Sequence, residues 1–268
     1  MSSLEFSDVT VTFGHGSSSF DAVRRVSLVV PEGGILGLVG ESGSGKSTLA
    51  RAAVGLVEPS SGDILLDGSP VTHARGVAAR QRQRIQMIFQ DPQSCLDPRR
   101  TVGQSVDESL TALDRRRRQR PRPVVDRDTE IARLLETVNL DPDYAHRLPG
   151  ALSGGQRQRV AIARALAAGP DVLLADEITS ALDVSVQGSV LNLLRELQEA
   201  LQLTVLFISH NLAVVRHVCE RVAVMLHGEI VEEGHVLDVL EDPQHEYTKR
   251  LLAAVPQIGV PLFPADSR

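Results

Sequence analysis

A glycine-rich segment near the amino terminus has the residue types and spacing of a phosphate-binding loop. Residues 40–48 match the pattern GxxxxGK[ST], directly after the apolar run 35–39 and before the helix-like stretch 49–54. In this context the glycines let backbone amides turn towards phosphate oxygens, Lys46 neutralises the β- and γ-phosphates, and the Ser47 hydroxyl is a ligand for Mg²⁺. The segment predicts binding of a nucleoside triphosphate by Gly40, Glu41, Ser42, Gly43, Ser44, Gly45, Lys46, Ser47 and Thr48.

The lysine of this loop is unusual for the chain. Lysine and arginine together number 28, yet only Lys46 and Lys249 are lysines. A compact ammonium on a thin stem fits inside such a loop, whereas a guanidinium fork does not. This choice favours a phosphate site over a Gly/Ser turn that matches the pattern by chance.

Two adjacent carboxylates, Asp176 and Glu177, follow the apolar run 172–175. They are expected at the carboxyl edge of a parallel sheet, where ligands of open α/β sheets bind. The segment resembles a Walker B motif, which implies that Asp176 orients hydrated Mg²⁺ and that Glu177 accepts a proton from the attacking water. Taken alone, the pair is also compatible with a solvated helix cap.

The elements that must position these residues form a mixed β and α/β pattern. Short apolar runs at 34–39, 85–89, 172–175 and 204–208 predict a largely parallel sheet with helices between several strands. Residues 4–13 and 26–30 predict an antiparallel β-layer. Helical spacing at 102–113 and 129–138 predicts an inserted helical subdomain.

We therefore expect three units. Residues 1–90 and 166–240 form the core with its β-subdomain, residues 91–165 form the helical subdomain, and residues 241–268 form a tail. Prolines in the tail argue against a long terminal helix. These prolines are Pro243, Pro256, Pro261 and Pro264.

Composition restricts the class of protein. A length of 268 residues with 42% hydrophobic content fills a sizeable core, and a formal net charge of −6 argues against a general nucleic-acid binder. Two distant cysteines, Cys95 and Cys219, argue against a disulfide scaffold and favour a reducing cytosol. We expect no export signal, because residues 1–10 are acidic and polar where a signal peptide needs a basic patch and an apolar stretch. The apolar runs of the sequence are much shorter than the roughly 20 residues that a membrane helix needs.

One basic stretch departs from the acidic balance and contains Pro121 and Pro123, which should break a helix. Either it is a solvated loop, or it contacts anionic lipid headgroups or a partner. Its arginines are Arg115, Arg116, Arg117, Arg118, Arg120 and Arg122.

The string LSGGQRQR at 152–159 resembles the signature of the ATP-binding cassette (ABC) proteins. The order of motifs resembles this family along nearly the whole chain. It places Gln90 after a strand, the signature before the acidic pair, Ser180-Ala-Leu-Asp183 after it, and His210 after the run 204–208. The resemblance implies an α/β fold with a P-loop NTPase (RecA-like) core, an antiparallel β-subdomain and an inserted α-helical subdomain.

The resemblance also implies roles for these residues. Gln90 reaches Mg²⁺ and the attacking water and senses a membrane partner, His210 contacts the γ-phosphate, and Asp183 belongs to the D-loop. In the family an aromatic ring stacks on adenine; Phe13 is the closest match and Phe20 is the alternative, although either is also compatible with a core residue.

The signature has a physical logic of its own, since a hydroxyl, bare amides and a helix N-terminus form an anion site. By resemblance its target is the γ-phosphate held by a second ATPase subunit, so that ATP joins two subunits and hydrolysis releases them. Without a partner the same residues are a helix cap. The signature residues are Leu152, Ser153, Gly154, Gly155 and Gln156.

Four further strings resemble the importer ATPases of the oligopeptide, dipeptide and nickel group. They begin at Phe89, Ala175, Ile208 and Glu241, and the last is similar to the tail of that group. Three positions depart from the pattern: Ile178 and Glu246 stand where proline is common, and Asn211 where aspartate is frequent. These departures put local loop geometry in doubt more than activity.

The resemblance implies an ATP hydrolase with ATP and Mg²⁺ that powers solute uptake, with peptide as the first expectation and nickel as the second. Its expected partners are a second, different ATPase subunit, two transmembrane permease subunits and an external solute-binding protein, with no nucleic acid. The expected location is the cytoplasmic face of the inner membrane, through the permeases. No iron–sulfur cluster is expected, because two distant cysteines cannot hold one.

Two other functions compete with import. A soluble ABC ATPase acting in DNA repair or translation is disfavoured, because the chain has neither a long coiled coil nor two cassettes. Export is disfavoured because exporters commonly fuse the cassette to membrane helices.

Overall fold

The computed structural model of the protein describes residues 2–14, 16–72, 76–92, 95–117 and 126–253. Its strands are β1 (Leu4–Phe13), β2 (Phe20–Val30), β3 (Ile35–Val39), β4 (Ser61–Leu66), β5 (Ser69–Pro70), β6 (Ile85–Ile88), β7 (Val172–Asp176), β8 (Thr204–Ser209), β9 (Arg221–Leu226) and β10 (Glu229–His235). Its helices are α1 (Lys46–Ala53), α2 (Val77–Arg82), α3 (Val102–Arg117), α4 (Arg127–Thr137), α5 (Gly154–Ala167), α6 (Val184–Leu201), α7 (Leu212–Val218), α8 (Val236–Glu241) and α9 (Glu246–Ala253).

The central layer is a six-stranded sheet in the order β10-β9-β3-β8-β7-β6. Strands β9, β3, β8, β7 and β6 run parallel, and β10 pairs with β9 in an antiparallel edge hairpin. All residues of β3, β7 and β8 are buried, as expected for parallel strands that are covered on both faces. The α/β prediction is confirmed.

The second layer is an antiparallel sheet in the order β2-β1-β4-β5. Its inward side chains, such as Phe6 and Ile64, share one hydrophobic core with α1 and with Leu36, Leu38 and Leu206 of the central sheet. Register shifts interrupt the pairing of β1 with β2 and with β4. This sheet and α1 therefore cover one face of the central sheet, and the other face is covered by later helices.

A second hydrophobic core, on the other face of the central sheet, contains residues of α3 to α9. Three of these helices, α3, α4 and α5, lie between β6 and β7 in the sequence. Helices α3, α4 and α5 contact one another, and α5 also contacts β6 and α6. The N-cap of α4 is Asp126, whose carboxylate accepts a hydrogen bond from the Thr129 amide. Both helices predicted in this stretch are present, at Val102–Arg117 and Arg127–Thr137.

The first part of the arginine-rich stretch, residues 115–117, lies in α3. The Arg116 guanidinium donates to the backbone carbonyls of Gln83 at 2.8 Å and Gly169 at 2.9 Å, so this residue joins α3 to two loops. Arg115 is exposed. Arg118, Arg120, Arg122, Pro121 and Pro123 lie outside the described residues, as does the tail from residue 254 onwards.

The last two described helices, α8 and α9, are short. Within the described ranges, every helix falls short of the length or apolar character that crossing a membrane requires.

Candidate functional site

The site lies at the carboxyl edge of the central sheet, where four neighbouring strands end. Strand β3 leads into the phosphate-loop segment, β7 ends at Asp176, β8 precedes His210, and β6 precedes Gln90. Because these strands are parallel neighbours in the sheet, their following residues meet at one edge. The fold brings together the residues that the sequence singles out at this edge.

The loop of residues 40–45 contains three glycines whose backbone conformation disfavours any residue with a side chain. Gly40, Gly43 and Gly45 have φ angles of 152°, 82° and 108°, in the region that favours glycine. A Cβ atom at Gly40 would collide with the carbonyl oxygen of Met225, and one at Gly45 with that of Ala22. Helix α1 begins immediately afterwards, with Gly45 as its N-cap.

The Lys46 ammonium lies inside this loop. Its Nζ donates to the carbonyl oxygens of Gly40 and Glu41, both at 2.7 Å, and to the Ser44 hydroxyl at 3.3 Å. The residue is only 4% exposed, and burial lowers the pKa of its ammonium, although the charges of Glu177 and Asp176 oppose the shift. A buried cation in a cradle of backbone groups is suited to binding an anion.

Ser47 and Asp176 provide adjacent hard oxygen donors. The Ser47 hydroxyl donates to Asp176 Oδ1 at 2.9 Å. Burial raises the pKa of Asp176, which is 2% exposed, even though the hydrogen bond from Ser47 acts against the rise. A hydroxyl and a buried carboxylate are donors that Mg²⁺ prefers, and a cation would compensate the buried charge. These residues therefore fit the metal that the loop implies.

Glu177 is the centre of a polar cluster. Its Oε2 accepts a hydrogen bond from Gln90 Nε2 at 2.9 Å, and its Oε1 lies 3.2 Å from His210 Nδ1. The backbone of Glu177 has a φ of 47°, which is uncommon for a residue with a side chain, and its amide donates to the Ile208 carbonyl at 3.0 Å. The Ser180 hydroxyl donates to the Glu177 carbonyl at 2.9 Å.

The accessibility of this cluster differs between its members. The Glu177 side chain is 16% exposed, whereas that of His210 is 58% exposed and Gln90 is also exposed. The carboxylate is therefore sheltered, while the two residues that contact it face outward. This arrangement places a candidate proton acceptor behind groups that a ligand or partner can reach.

The signature segment begins α5. Ser153 is the N-cap: its hydroxyl accepts from the Gln156 amide at 3.3 Å, and Gln156 Oε1 accepts from the Ser153 amide at 2.8 Å. This capping box starts the helix at Gly154. Ser153 and Gly154 are exposed, and Gly155 packs against Val186.

Two residues that the sequence analysis does not single out hold the signature in place. The Tyr144 hydroxyl accepts from Gln156 Nε2 at 2.8 Å, and the Arg157 guanidinium donates to the carbonyl of Pro149 at 2.9 Å. Neither contact has a sequence signal, because both depend on how the turn before α5 folds back.

Asp183 stands at the start of α6, and its side chain caps no amide there. It is exposed. The adjacent Leu182 lies beside Gly154, 3.3 Å from where a Cβ atom of that glycine would be. The segment that contains Asp183 therefore lies close in space to the signature of the same chain.

The two candidate stacking residues form one pair. Phe13 and Phe20 are opposite each other in the register of β1 and β2, with ring centroids 5.9 Å apart. They are 38% and 60% exposed. Since the carbonyl of Ala22, two residues along β2 from Phe20, lies against Gly45, this end of the sheet borders the phosphate loop.

The three departures from the importer pattern are each accommodated. Ile178 is buried in the core. Asn211 caps α7, with its side-chain oxygen accepting from the amides of Ala213 and Val214. Glu246 begins α9 and pairs with Lys249 at 2.9 Å.

Comparison with known proteins finds relatives of one family. Residues 23–180 match the model of the ABC transporter family. The chain is 50% identical over 236 residues to the glutathione import ATP-binding protein GsiA of Pectobacterium atrosepticum, which covers 88% of this chain and 37% of the relative. The chain thus spans well under half the length of that protein. A peptide import ATP-binding protein of Brucella ovis is 46% identical over 241 residues, or 90% of this chain and 74% of the relative.

Solved structures share the fold. A dimeric ATP-binding cassette in a post-hydrolysis state, bound to ADP and Pi, superposes with a TM-score of 0.74 at 30% identity, covering 87% of this chain and 98% of that one. CbiO1 from Clostridium perfringens, part of the ABC transporter complex cbiONQ, superposes with a TM-score of 0.76 at 28% identity, covering 96% of each chain. Together with the family match, these likenesses show that the chain belongs to the ABC transporter family.

Proposed function

We propose that this chain binds ATP with Mg²⁺ and hydrolyses it to power solute uptake, as the ATPase subunit of a membrane importer. The observation that carries the proposal is the convergence of Lys46, the Ser47–Asp176 pair and the Glu177 cluster at one sheet edge. This set combines an anion cradle, two metal donors and a sheltered carboxylate. Such a combination suits phosphoryl transfer to water.

In the binding step, the backbone amides of the loop and the Lys46 ammonium hold the β- and γ-phosphates. Ser47 and Asp176 would hold Mg²⁺, with Gln90 as a further ligand; when bound, the metal neutralises charge on the phosphate oxygens. Phe13, paired with Phe20, offers a ring face for the adenine base. The exposure of both rings supports this role.

In the hydrolytic step, Glu177 accepts the proton of the attacking water, and its shelter from solvent keeps that water in a fixed position. Gln90 orients the carboxylate through its hydrogen bond to Oε2. His210, next to Oε1, presents its other ring nitrogen to the γ-phosphate. The three residues therefore act as one unit.

The signature acts on ATP held by a second ATPase subunit. Ser153 uses its oxygen as an acceptor for the Gln156 amide, so its hydroxyl proton remains available for a phosphate oxygen outside the chain. Exposed Gly154 adds a bare amide at a helix N-terminus. Asp183, near this surface, takes part in the same contact between subunits. The dimeric cassette among the structural relatives supports such an assembly.

A groove between β6 and the helices α3 and α5 offers a surface for a membrane partner. It is lined by Met87, Phe89, Cys95, Ser109 and Arg164, among others. One of these residues, Phe89, directly precedes Gln90 in the sequence. A permease helix seated there would reach the segment that ends in Gln90. This supports coupling of ATP binding to two permease subunits on the cytoplasmic face of the membrane.

Coupling to the membrane partner would require parts of the chain to move relative to one another. We infer that residues 91–165 move as the helical signature subdomain relative to the core of residues 1–90 and 166–240, with residues 241–268 as a separate tail. The mutual packing of α3, α4 and α5 supports the first of these units.

The solute is proposed to be a peptide. Relatives named for glutathione and peptide import support this class over nickel. An external solute-binding protein would deliver it. DNA repair and translation are not favoured by any feature of the site.

The test is reconstitution of the chain with a second ATPase subunit, two permease subunits and an external solute-binding protein. Phosphate release that requires Mg²⁺ and increases with peptide-loaded binding protein is the expected result. Stimulation by nickel-loaded but not peptide-loaded binding protein would overturn the proposed solute. Absence of phosphate release under every condition would overturn the proposed activity.

A further inference from the structure

We propose that Tyr247, on the last described helix, is a positioning residue for ATP binding, because its hydroxyl holds the peptide that orients Lys46. The inference rests on the proposed function, since it assigns a further residue to the same nucleotide site. It is carried by a contact between two parts of the chain that are 206 residues apart.

The contact joins α9 to the phosphate loop. The backbone amide of Glu41 donates to the Tyr247 hydroxyl oxygen at 2.9 Å. Tyr247 is 3% exposed, and its ring belongs to the hydrophobic core on the helical side of the central sheet. The hydroxyl therefore lies at the boundary between this core and the loop.

The peptide unit between Gly40 and Glu41 connects Tyr247 to Lys46. Its N–H donates to the Tyr247 hydroxyl, and its carbonyl oxygen accepts from Lys46 Nζ at 2.7 Å. One rigid peptide plane thus bears a hydrogen bond at each end. Hydrogen bonds in series polarise one another, so the bond at the amide strengthens the carbonyl as an acceptor for the ammonium.

The position of Tyr247 is itself fixed from the edge strand β10. The Glu232 carboxylate accepts from the amides of Gln244 at 2.7 Å and His245 at 3.1 Å, immediately before α9. His245 Nδ1 then accepts from the Tyr247 amide at 3.1 Å. Thr248, beside it, is fully buried, so the first turn of α9 packs against the core.

The consequence is a coupling between the docking of α9 and the affinity of the loop for ATP. Without the hydroxyl, the peptide between Gly40 and Glu41 loses a restraint, and the loop must become ordered when phosphate binds. The lost hydrogen bond should weaken ATP binding by a factor on the order of 3 to 10. Coupling is reciprocal, so ATP should in turn stabilise α9.

The test compares Tyr247→Phe with Lys249→Ala in the full chain. Tyr247→Phe keeps the ring in the core and removes only the oxygen, whereas Lys249→Ala alters an exposed side chain on the same helix. Nucleotide titration should show a 3- to 10-fold higher Kd for ATP in Tyr247→Phe and an unchanged Kd in Lys249→Ala. In the assembled ATPase, the KM for ATP should rise while kcat stays within about twofold of the original.

A second measurement uses the unaltered chain. Hydrogen exchange should show that ATP slows exchange of the α9 amides, and Tyr247→Phe should lose this protection. A purely structural role would lower thermal stability and leave the Kd unchanged.

An unchanged Kd in a folded Tyr247→Phe variant would overturn the inference. If that variant does not fold, the absence of ATP-dependent protection of α9 in the unaltered chain would overturn it. If the unaltered chain binds ATP, either result leaves the proposed function standing. A chain that binds no ATP would overturn both proposals.

Discussion

The carboxylate of Glu177 lies 3.2 Å from Nδ1 of His210, and this contact joins the ends of two neighbouring strands. The backbone of Glu177 is in a left-handed conformation with a φ of 47°. A non-glycine residue in this region is strained, and the hydrogen bonds around it hold it there.

Replacing Glu177 by glutamine is expected to preserve ATP binding and to abolish most hydrolysis. The amide keeps the size of the side chain but cannot accept a proton, and loss of a general base lowers rates by about 10²–10⁴-fold. Phosphate release from the assembled ATPase, with the ATP Kd measured in parallel, checks both parts. Turnover near that of the unaltered protein would remove Glu177 from the role of base.

Replacing Asp176 by asparagine is expected to stabilise the nucleotide-free protein at neutral pH. Burial raises the pKa of Asp176 in the folded state, so its contribution to stability is largest at low pH and is lost as pH rises through that raised pKa. Asparagine carries no charge and can still accept from Ser47. The melting temperature of Asp176→Asn should therefore exceed that of the unaltered chain by an increasing margin as pH rises from acidic to neutral.

The same variant should lose Mg²⁺-dependent nucleotide affinity, by about tenfold or more. Titrations with and without Mg²⁺ separate this effect from stability. Equal dependence on Mg²⁺ in both proteins would contradict the assignment of Asp176 as a metal ligand.

Replacing Ser153 by aspartate separates the two roles of this residue. Aspartate caps a helix about as well as serine, so the free energy of unfolding should change little in Ser153→Asp. Ser153→Ala should lower the free energy of unfolding by about 1 kcal/mol. The new charge would face the phosphate of the partner subunit and repel it. Hydrolysis by the assembled pair should fall strongly, while the ATP Kd of the isolated chain stays the same.

If Ser153→Asp instead weakened ATP binding by the isolated chain, the signature would act on its own P-loop. That result would contradict the assignment in trans.

Replacing Gln158 by methionine is expected to stabilise the fold. Gln158 is 1% exposed, and neither its Oε1 nor its Nε2 has a hydrogen-bond partner in the described part of the chain. Methionine has a similar shape and removes the penalty for burying unpaired polar groups, a gain of about 1 kcal/mol or more. A lower melting temperature would mean that the amide has a partner in solution. Gln198→Met is a matched control. Gln198 Nε2 donates to the Gly33 carbonyl, so loss of this hydrogen bond should destabilise the fold.

The site was more predictable from sequence than the layers around it. The loop that leads to Lys46 directly follows the buried strand β3, and Asp176 and Glu177 stand at the end of the buried strand β7, so the pattern places all three residues at one sheet edge. By contrast, only Val26–Val30 of β2 was expected, because residues 20–25 are mostly exposed and a register shift interrupts their alternation. The pattern does not predict the edge strand β10 for a related reason, since it contains three glutamates and has no fully buried residue.

Contacts that depend on tertiary folding had no sequence signal. The hydrogen bond from Gln156 to Tyr144 spans 12 residues, and that from Glu41 to Tyr247 spans 206. Neither follows from periodicity or spacing. Family resemblance marks the region of Tyr247 but not its contact with the loop.

The central claim is that the loop around Lys46 binds ATP, and the two lysines of the chain permit a direct test. Calorimetric titration of MgATP should show binding to the unaltered chain and to Lys249→Ala, and binding weakened by at least about tenfold in Lys46→Ala, because the buried ammonium is lost. Equal affinity of Lys46→Ala and Lys249→Ala for MgATP would contradict the account.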